Sequence, residues 1–274
     1  MHDPELLTNA DDPRLESYRN SRWNRQPDAT TDDFIVEGRY CVERLLQSDY
    51  EVNSVLVAEG KSIEMRGSLT RVVPVYSLPT AEIRRLVGFD FHRGIMACAK
   101  RQAFKSMIAF EQEIAEPQVT VALLGLYERD NVGSIMRTAA ALGVERVLLG
   151  PNTADPFSRR TIRVSMGTVF RLKLYELSDP VAQLPDLADR HDLHTIVTTL
   201  DQNATPLRDF RLTRQSVILI VGNEAEGVSE EVQRVATDRV IIPMSLGTNS
   251  LNVAVATAIC LHDLRNQLNH RLDL

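Results

Sequence analysis

The sequence has few cysteines, no excess of positive charge and no long apolar run. Each of these absences argues against one class of protein. Its 274 residues include three cysteines, an odd number that are widely spaced among apolar residues, so we expect buried thiols instead of disulfides or a metal site. No window approaches the roughly 18 apolar residues of a membrane-spanning helix. The first residues lack the basic and apolar regions of a secretory signal. We therefore expect a cytoplasmic protein without a metal ion or a membrane partner.

The balance of charge narrows the possible partners. Lys and Arg number 31 and Asp and Glu number 37, which gives a formal net charge of -6. A protein that coats nucleic acid without specificity needs a strong positive field, so this class is excluded, although local basic patches can still bind phosphates. Hydrophobic residues make up 43% and charged residues 25%, as in globular proteins with a sizeable core. The length suits one large domain or two ordinary ones.

The order of apolar and polar segments divides the chain into four parts. Residues 1–32 are polar, with arginines flanking aromatic residues, and form an N-terminal extension that either contacts RNA or is a solvated arm with one docked tryptophan. Residues 33–101 alternate short strands and helices and form a small α/β domain. Residues 102–117 are a linker, and residues 118–274 form the second domain.

The second domain opens on an apolar run over 119–124, which is typical of a strand covered on both faces of a parallel sheet. A loop and a helix follow over 127–143, with Asp130 or Asn131 as the N-cap. Arg137 falls about one and a half turns into this helix, so we expect it on the face that looks back toward the loop. The pattern predicts the α/β class with a parallel sheet.

The segment 241–256 joins an apolar strand to an apolar helix. Pro243 ends the strand, Ser250 can cap the helix, and the helix runs from Leu251 to about Gln267. Because this helix is apolar on almost all sides, we expect it to be buried on most faces. Taken alone, the segment is also typical of a βα unit in any α/β protein.

Residues 216–221 form another strand, which leads directly into the loop from Gly222 to Gly227. Glycines at the carboxyl end of a parallel strand are where α/β sheets open a ligand crevice. The loop lacks the GxGxxG pattern of dinucleotide folds and the Lys-Ser/Thr of nucleoside triphosphate loops. This absence argues against a dinucleotide-dependent oxidoreductase, one of three candidate functions.

Basic residues concentrate in residues 155–173, which contain a single acidic residue, Asp155. A phosphate-binding segment and a solvated basic loop fit this charge pattern equally well. A second basic pair lies in a loop of the small domain. Its residues either contact RNA or have a capping or packing role. The candidate RNA-binding residues of the two segments are Arg159, Arg160, Arg163, His92 and Arg93.

Three segments of the second domain resemble the signature motifs of the SpoU/TrmH-type RNA 2'-O-ribose methyltransferases. They are Asn131-x-Gly133-x-x-x-Arg137, Val221-Gly222-Asn223-Glu224-x-x-Gly227, and Ile242-Pro243-Met244 followed by Ser250-Leu251-Asn252-Val253-Ala254. Their order and spacing match, so the resemblance covers about residues 119–268. Residues 158–167 resemble the family's basic substrate loop, and the small domain resembles the L30e-like RNA-binding module of many members. The sequence departs from the family where Glu-Arg-Asp precedes Asn131, because members more often have Asp-Pro.

The resemblance implies an α/β fold in which a C-terminal parallel-sheet domain with a deep trefoil knot follows an L30e-like domain. It also implies a homodimer through the knot domain, with the apolar helix 251–264 in the interface. S-adenosylmethionine is the implied cofactor, bound in the knot mostly by backbone groups, with apolar side chains around the adenine. The positions that match the family's cofactor contacts are Thr198, Gly222, Ile242 and Leu251, and Met244 lines the same crevice.

The implied reaction transfers the cofactor's methyl group to a ribose 2'-hydroxyl of structured RNA, with ribosomal RNA favoured over transfer RNA. By resemblance Arg137 activates the hydroxyl, but arginine is effectively never deprotonated, so we expect it to stabilise negative charge and hold phosphate. The residues that arrange the hydroxyl and the phosphate are Asn131, Glu224, Ser250 and Asn252. All five are present, which argues against an RNA-binding or ribosome-assembly factor that has lost catalysis.

Overall fold

The computed structural model describes residues 4–19, 33–61, 73–114, 117–223 and 225–272. Its strands are β1 (Glu5–Leu6), β2 (Asp33–Glu37), β3 (Val52–Ala58), β4 (Val75–Leu78), β5 (Ile95–Lys100), β6 (Gln118–Leu123), β7 (Arg146–Leu149), β8 (Lys173–Glu176), β9 (Leu193–Thr198), β10 (Thr205–Pro206), β11 (Ser216–Val221) and β12 (Asp238–Ile241). Its helices are α1 (Arg39–Leu46), α2 (Thr80–Val87), α3 (Met107–Gln112), α4 (Arg129–Ala141), α5 (Arg159–Val164), α6 (Pro180–His191), α7 (Glu230–Val235) and α8 (Val253–Leu272).

The chain forms two compact units whose borders differ from the predicted domains. The first unit comprises residues 1–103 together with 155–170, and the second comprises residues 104–154 together with 171–274. The segment 155–170 was predicted within the second domain, yet it packs with the first unit. The predicted linker 102–117 contributes α3 to the second unit.

A five-stranded sheet in the order β1-β4-β3-β5-β2 organises the first unit. β1 and β3 flank β4 in parallel, whereas β5 is antiparallel to β2 and β3. Residues 4–19 belong to this fold, because Tyr18 is fully buried and its hydroxyl group donates to the carbonyl oxygen of Ser54 at 3.0 Å. The predicted extension 1–32 is therefore in part a structural element, while its tryptophan, Trp23, lies outside the described residues.

The segment 155–170 packs its aromatic residues into the first unit and places α5 against β2. The ring of Phe157 stacks on that of Phe34, with 5.1 Å between the centroids, and Phe170 stacks on the same ring at 5.8 Å. At Gly167, where φ is +76°, an added Cβ would lie 3.0 Å from the Cα of Cys41, so this close approach requires glycine. The segment is therefore held by the first unit's core.

A seven-stranded sheet in the order β10-β12-β9-β11-β6-β7-β8 organises the second unit, and every strand pair in it is parallel. β6 and β11 are adjacent, and every residue of both strands is buried. The predicted parallel sheet, and the prediction that the run over 119–124 is a strand covered on both faces, are confirmed.

Helix α8 packs against α4, β6 and β11, but it is not buried on most faces as predicted. Leu261 and Leu264 are fully buried, whereas Val255 is 49% exposed and Ile259 is 41% exposed. The helix also begins at Val253, and not at Leu251, because the side chain of Asn252 takes the capping role expected of Ser250. Within the described residues, no helix is both long and apolar enough to cross a lipid bilayer.

Candidate active site

A cavity of about 510 Å³ opens in the second unit where β9, β11 and β12 end. Its walls come from the residues that follow the carboxyl ends of these parallel strands, the usual place for a ligand crevice in an α/β sheet. The volume lies within the range of small-molecule and cofactor sites. All the predicted cofactor-binding residues line it, namely Thr198, Gly222, Ile242, Met244 and Leu251.

The loop after β11 folds back tightly onto Gly222. A Cβ added at Gly222 would lie 2.4 Å from the carbonyl carbon of Gly227 and 2.5 Å from the amide nitrogen of Val228, so no side chain fits there. The amide nitrogen of Gly227 donates to the carbonyl oxygen of Asn223 at 2.9 Å and closes the turn. The backbone of this turn thereby forms one wall of the cavity. The predicted catalytic residue Glu224 lies outside the described residues.

The lining of the cavity combines apolar surface with acidic groups. Ile242, Met244 and Leu251 supply apolar surface, and the described lining residues include two carboxylates, Asp201 and Glu226, but no cationic side chain. A hydrogen bond from the backbone of Asn203, aided by the nearby charge of Arg239, lowers the pKa of Asp201. Asp201 also pairs with Arg239, with 3.0 Å between nitrogen and oxygen, so Glu226 is the lining carboxylate that has no ion pair among the described residues and can attract a positively charged ligand. The sequence interpretation missed both acids, although Asp201 follows the end of β9 and its position relative to the sheet could have indicated it.

Three of the predicted catalytic residues lie together at the edge of the cavity. Ser250 and Asn252 line it, and the side-chain nitrogen of Asn252 donates to the side-chain oxygen of Asn131 at 2.9 Å. Asn131 stands in the first turn of α4, so this bond ties the start of that helix to the cavity wall.

Arg137, the remaining predicted catalytic residue in the described part of the chain, is not on the cavity wall. Its side chain is exposed on α4, and among the described residues it forms no ion pair. The guanidinium group is thus available for an external anion. Unlike Asn131, Arg137 has no hydrogen bond to a lining residue among the described residues.

The predicted RNA-binding residues all lie in the first unit. The guanidinium group of Arg159 pairs with the nearly buried carboxylate of Glu37, with 2.8 Å between nitrogen and oxygen, and lies 3.6 Å above the ring of Phe89. Arg93 is exposed and lies over Gly38, where φ is +96° and an added Cβ would meet the arginine side chain at 3.0 Å. These two arginines are more than sixty positions apart in the sequence. In the structure both lie beside Glu37–Gly38.

The other three predicted RNA-binding residues are spread around this pair. Arg160 is exposed and Arg163 is half-buried on α5, while His92 is exposed and its Nε2 atom lies 3.7 Å from a carboxylate oxygen of Asp90. Arg159 is the only one of the five whose charge is balanced by a nearly buried carboxylate in the described part of the first unit.

The three cysteines are free thiols, and one of them, Cys260, lines the cavity. All three are buried and free, and burial raises the pKa of Cys98 and of Cys260 to about 12, so these thiols stay protonated at neutral pH. The part of the chain that the structure describes contains no group of three or more His, Cys, Asp or Glu side chains suited to a metal ion.

Comparisons with known proteins identify the family to which the chain belongs. The model of the SpoU rRNA Methylase family matches residues 118–262. An uncharacterised tRNA/rRNA methyltransferase of Mycobacterium bovis is 31% identical over 98% of this chain and 94% of its own. The 23S rRNA guanosine 2'-O-methyltransferase RlmP of Bacillus subtilis is 26% identical over 92% of this chain and 99% of its own.

A solved structure shares the fold. It is an rRNA methyltransferase of Sinorhizobium meliloti crystallised with S-adenosylmethionine, which superimposes with a TM-score of 0.77 over 96% of this chain and 98% of its own, at 22% identity. The likeness covers both units of the chain.

Proposed function

Because the chain belongs to the SpoU rRNA methylase family, we propose that it transfers a methyl group from S-adenosylmethionine to a ribose 2'-hydroxyl of structured RNA, with ribosomal RNA favoured over transfer RNA. The observation that carries the proposal is the convergence of Asn131, Ser250 and Asn252 at the mouth of a cavity of cofactor size. The Bacillus relative, whose name states ribose methylation of 23S rRNA, supports the choice of RNA class.

The chemistry of the cavity fits S-adenosylmethionine. The cofactor carries a sulfonium and an ammonium group against one carboxylate, so its net charge is positive, and the cavity offers two carboxylates and no cationic side chain among its described lining residues. A dinucleotide would bring a doubly negative pyrophosphate toward Glu226, whereas the cation beside Asp201, Arg239, is already paired with that carboxylate at 3.0 Å. Ile242 and Leu251 supply apolar surface for the adenine, and the strand-end backbone supplies hydrogen-bonding groups.

The residues of the chain provide orientation and charge. When bound, the cofactor supplies an electrophilic methyl group on sulfur. Asn252 and Ser250 position the ribose at the cavity mouth, and Asn131 fixes the amide of Asn252 in one orientation. Arg137 keeps its proton and stabilises the negative charge that develops on the 2'-oxygen or holds the adjacent phosphate, and the proton of the 2'-hydroxyl passes to solvent water as the bond between methyl and sulfur breaks. Glu224 completes the proposed set.

RNA recognition is assigned to the first unit, which we take to be L30e-like. Arg93 and Arg159 lie beside the Glu37–Gly38 backbone, and Arg160, Arg163 and His92 extend the basic surface of the same unit. Such contacts with phosphates supply affinity and orientation, whereas the cavity selects the reacting ribose. This grouping explains how an acidic chain can bind RNA.

The proposal also includes a trefoil knot in the second unit and a homodimer. β12 lies between β9 and β10 in the sheet, and the chain then returns along the cavity wall through residues 242–252 before α8, a path compatible with a deep trefoil knot. Val255 and Ile259 form an exposed apolar stripe on α8, so we assign this stripe to the interface with a second copy of the chain.

Methyl transfer from tritiated S-adenosylmethionine to transcribed ribosomal and transfer RNA tests the function. We expect label in ribosomal RNA at a bond that resists alkaline hydrolysis, which marks a 2'-O-methyl group. RNA binding without transfer would instead favour the inactive ribosome-assembly factor. Calorimetric titration tests the cofactor, and binding of NAD in place of S-adenosylmethionine would show that the cavity has been assigned incorrectly.

Arg137→Ala tests the mechanism. We expect transfer to fall by about a hundredfold or more, as when one stabilising donor is lost, with cofactor affinity unchanged because Arg137 is not on the cavity wall. Arg208→Ala is the matched control, since Arg208 is an exposed arginine of the same unit that does not line the cavity. Undiminished transfer by Arg137→Ala would remove this residue from the mechanism.

A further inference from the structure

Tyr127 is a large aromatic residue that the structure leaves 55% exposed beside the candidate active site. Its backbone is fixed on both sides, because Leu126 before it is fully buried and α4 begins two residues after it. The ring is therefore held near one place although much of its surface faces water. An exposed ring that is held in this way has contact surface available for another molecule.

The tip of the ring makes one long hydrogen bond to the cavity wall. The hydroxyl group of Tyr127 donates to the side-chain oxygen of Asn223 at 3.4 Å, and Asn223 lines the cavity. Asn223 is itself fixed, since the same oxygen accepts from the amide nitrogens of Ala225 at 2.7 Å and Glu226 at 3.0 Å, and its nitrogen donates to the carbonyl oxygen of Gly125 at 3.1 Å. The position of the ring is thus coupled to the turn that forms the wall.

We propose that the ring of Tyr127 is a stacking platform for an RNA base, and that it holds this base outside its helix so that the attached ribose reaches the cavity mouth. The proposal rests on the proposed function, because it assigns a role in placing the ribose to a residue outside the three signature motifs. Stacking on an aromatic face suits every base, and tyrosine orders only two side-chain torsions in forming the contact. Asn252 and Ser250 line the same cavity as Asn223, and we assign the ribose to them.

The surroundings of Tyr127 favour a nucleic-acid base over a protein partner. The residues that follow it, Glu128, Arg129 and Asp130, are exposed and charged, so the ring is not part of a continuous apolar patch along the chain. Protein interfaces place their aromatic anchors in a core from which charged residues are depleted. A single exposed aromatic face is instead the surface on which proteins stack unpaired bases, and Arg129, two residues on, is a cation between the acids Glu128 and Asp130.

Binding of short oligonucleotides tests the platform without relying on methyl transfer. The full-length protein carries Trp23→Phe together with Tyr127→Trp, so that the introduced indole is the single tryptophan fluorophore. The probes are a ten-nucleotide oligouridylate and an abasic oligomer of equal length and charge. We expect the oligouridylate to quench the fluorescence and to bind about tenfold more tightly than the abasic oligomer. Equal affinity and equal quenching by both oligomers would overturn the proposal.

Two substitutions distinguish the contribution of the flat ring to RNA binding from that of apolar surface alone. Tyr127→Phe keeps the ring and loses only the bond to Asn223, so we expect its KM for ribosomal RNA to stay within about threefold of the natural value. Tyr127→Leu keeps apolar area but lacks a flat face, and its KM should rise about tenfold with kcat little changed. Ile108→Ala, which trims a residue that is 69% exposed on α3, should change neither constant.

The outcomes distinguish the platform from the proposed function. A Tyr127→Leu protein with the natural KM would overturn the platform and leave methyl transfer in place. Quenching by the oligouridylate alone, in a protein that transfers no methyl group, would support the platform and reject the function. A Tyr127→Leu protein that sediments as a smaller species than the natural protein would show that the ring contacts a second protein chain, which also overturns the proposal.

Discussion

The side-chain amide of Asn252 joins helix α8 to helix α4. Its oxygen accepts from the amide nitrogen of Ala254 at 2.9 Å and caps α8, while its nitrogen donates to the side-chain oxygen of Asn131 at 2.9 Å. The capping bond satisfies one of the amide groups that a helix start leaves unpaired. The second bond makes the geometry of the cavity mouth depend on a residue 121 positions earlier in the chain.

Substitutions at Asn252 should separate these two roles. Asn252→Ala loses the cap and the link to Asn131, so we expect the free energy of unfolding to fall by about 1 to 2 kcal/mol. Asn252→Asp keeps an oxygen for the cap but has no N–H group to donate, so its stability should fall less while methyl transfer falls about tenfold or more. Urea unfolding and transfer assays measure the two effects. Full transfer by Asn252→Asp would show that the link to Asn131 has no catalytic importance.

Gly222→Ala should abolish cofactor binding. The added methyl group would overlap the backbone of Gly227 and Val228, which cannot withdraw without opening the turn that forms the cavity wall. Gly60→Ala is the matched control, because Gly60 has a φ of +75° with nothing within 4 Å of an added Cβ, so only backbone strain of about 1 kcal/mol is expected. Calorimetric titration with S-adenosylmethionine decides the point. Unchanged affinity in a folded Gly222→Ala protein would contradict the described turn.

Glu113 should make the stability of the second unit depend on pH. Burial alone would raise the pKa of its carboxyl group, but hydrogen bonds from Lys173 at 2.6 Å and Lys105 at 2.9 Å outweigh burial and lower the pKa to about 2. Because folding lowers this pKa, the ion pairs contribute their full stabilisation at pH values above the usual pKa near 4.5. The contribution disappears as the pH falls from 4.5 to about 2. Because the side chain is 25% exposed, we expect about 1 to 2 kcal/mol.

Glu113→Gln measures this contribution. The variant should be less stable than the natural protein at pH 7, and the difference in the free energy of unfolding should shrink below pH 4.5. Glu51→Gln, which removes an exposed partner of Lys100, should cost less than about 0.5 kcal/mol. A difference for Glu113→Gln that stays constant from pH 7 to pH 3 would mean that the two lysines do not hold this carboxylate.

Deletion of residues 1–101 should yield an insoluble protein. Phe157 and Phe170 stack on Phe34 in the first unit, so the deletion would leave both rings exposed to water in the remaining chain. We expect the truncated protein to bind hydrophobic dyes and aggregate. A second truncation that also carries Phe157→Ser and Phe170→Ser should be soluble and bind S-adenosylmethionine. A soluble first truncation that binds no hydrophobic dye would show that these rings are not buried by the first unit.

The sequence predicted the parts of the structure that depend on local pattern. The apolar run of β6 indicated a strand buried on both faces, and residues 216–221 indicated the strand β11. Both strands lie in the middle of a parallel sheet. The strand-end positions that resemble the family's cofactor contacts line one cavity. The strand follows from the apolar pattern along a short stretch of chain, whereas the cavity positions were named by resemblance to the family.

The errors arise where distant residues decide the outcome. Ser250 and Asn252 are equally capable helix caps, and Asn252 has a partner in Asn131 that no local pattern reveals. The basic segment 155–173 was assigned to the second domain by its position in the chain and its resemblance to the family's substrate loop, whereas Arg159 pairs with Glu37, 122 positions earlier. Apolar composition also failed to show which side of α8 is buried, because Val255 and Leu261 differ only in what packs against them.

The division of the first unit between residues 1–103 and 155–170 sets an order of events during synthesis. The ribosome releases β6, α4 and β7 before it releases Phe157 and Phe170, the rings that stack on Phe34. At a translation rate of about 5 to 20 residues per second, the earlier part of the first unit waits roughly 3 to 13 s for its last segment. During that interval its β2 edge has no α5 to cover it, so the nascent chain is open to chaperones at this edge.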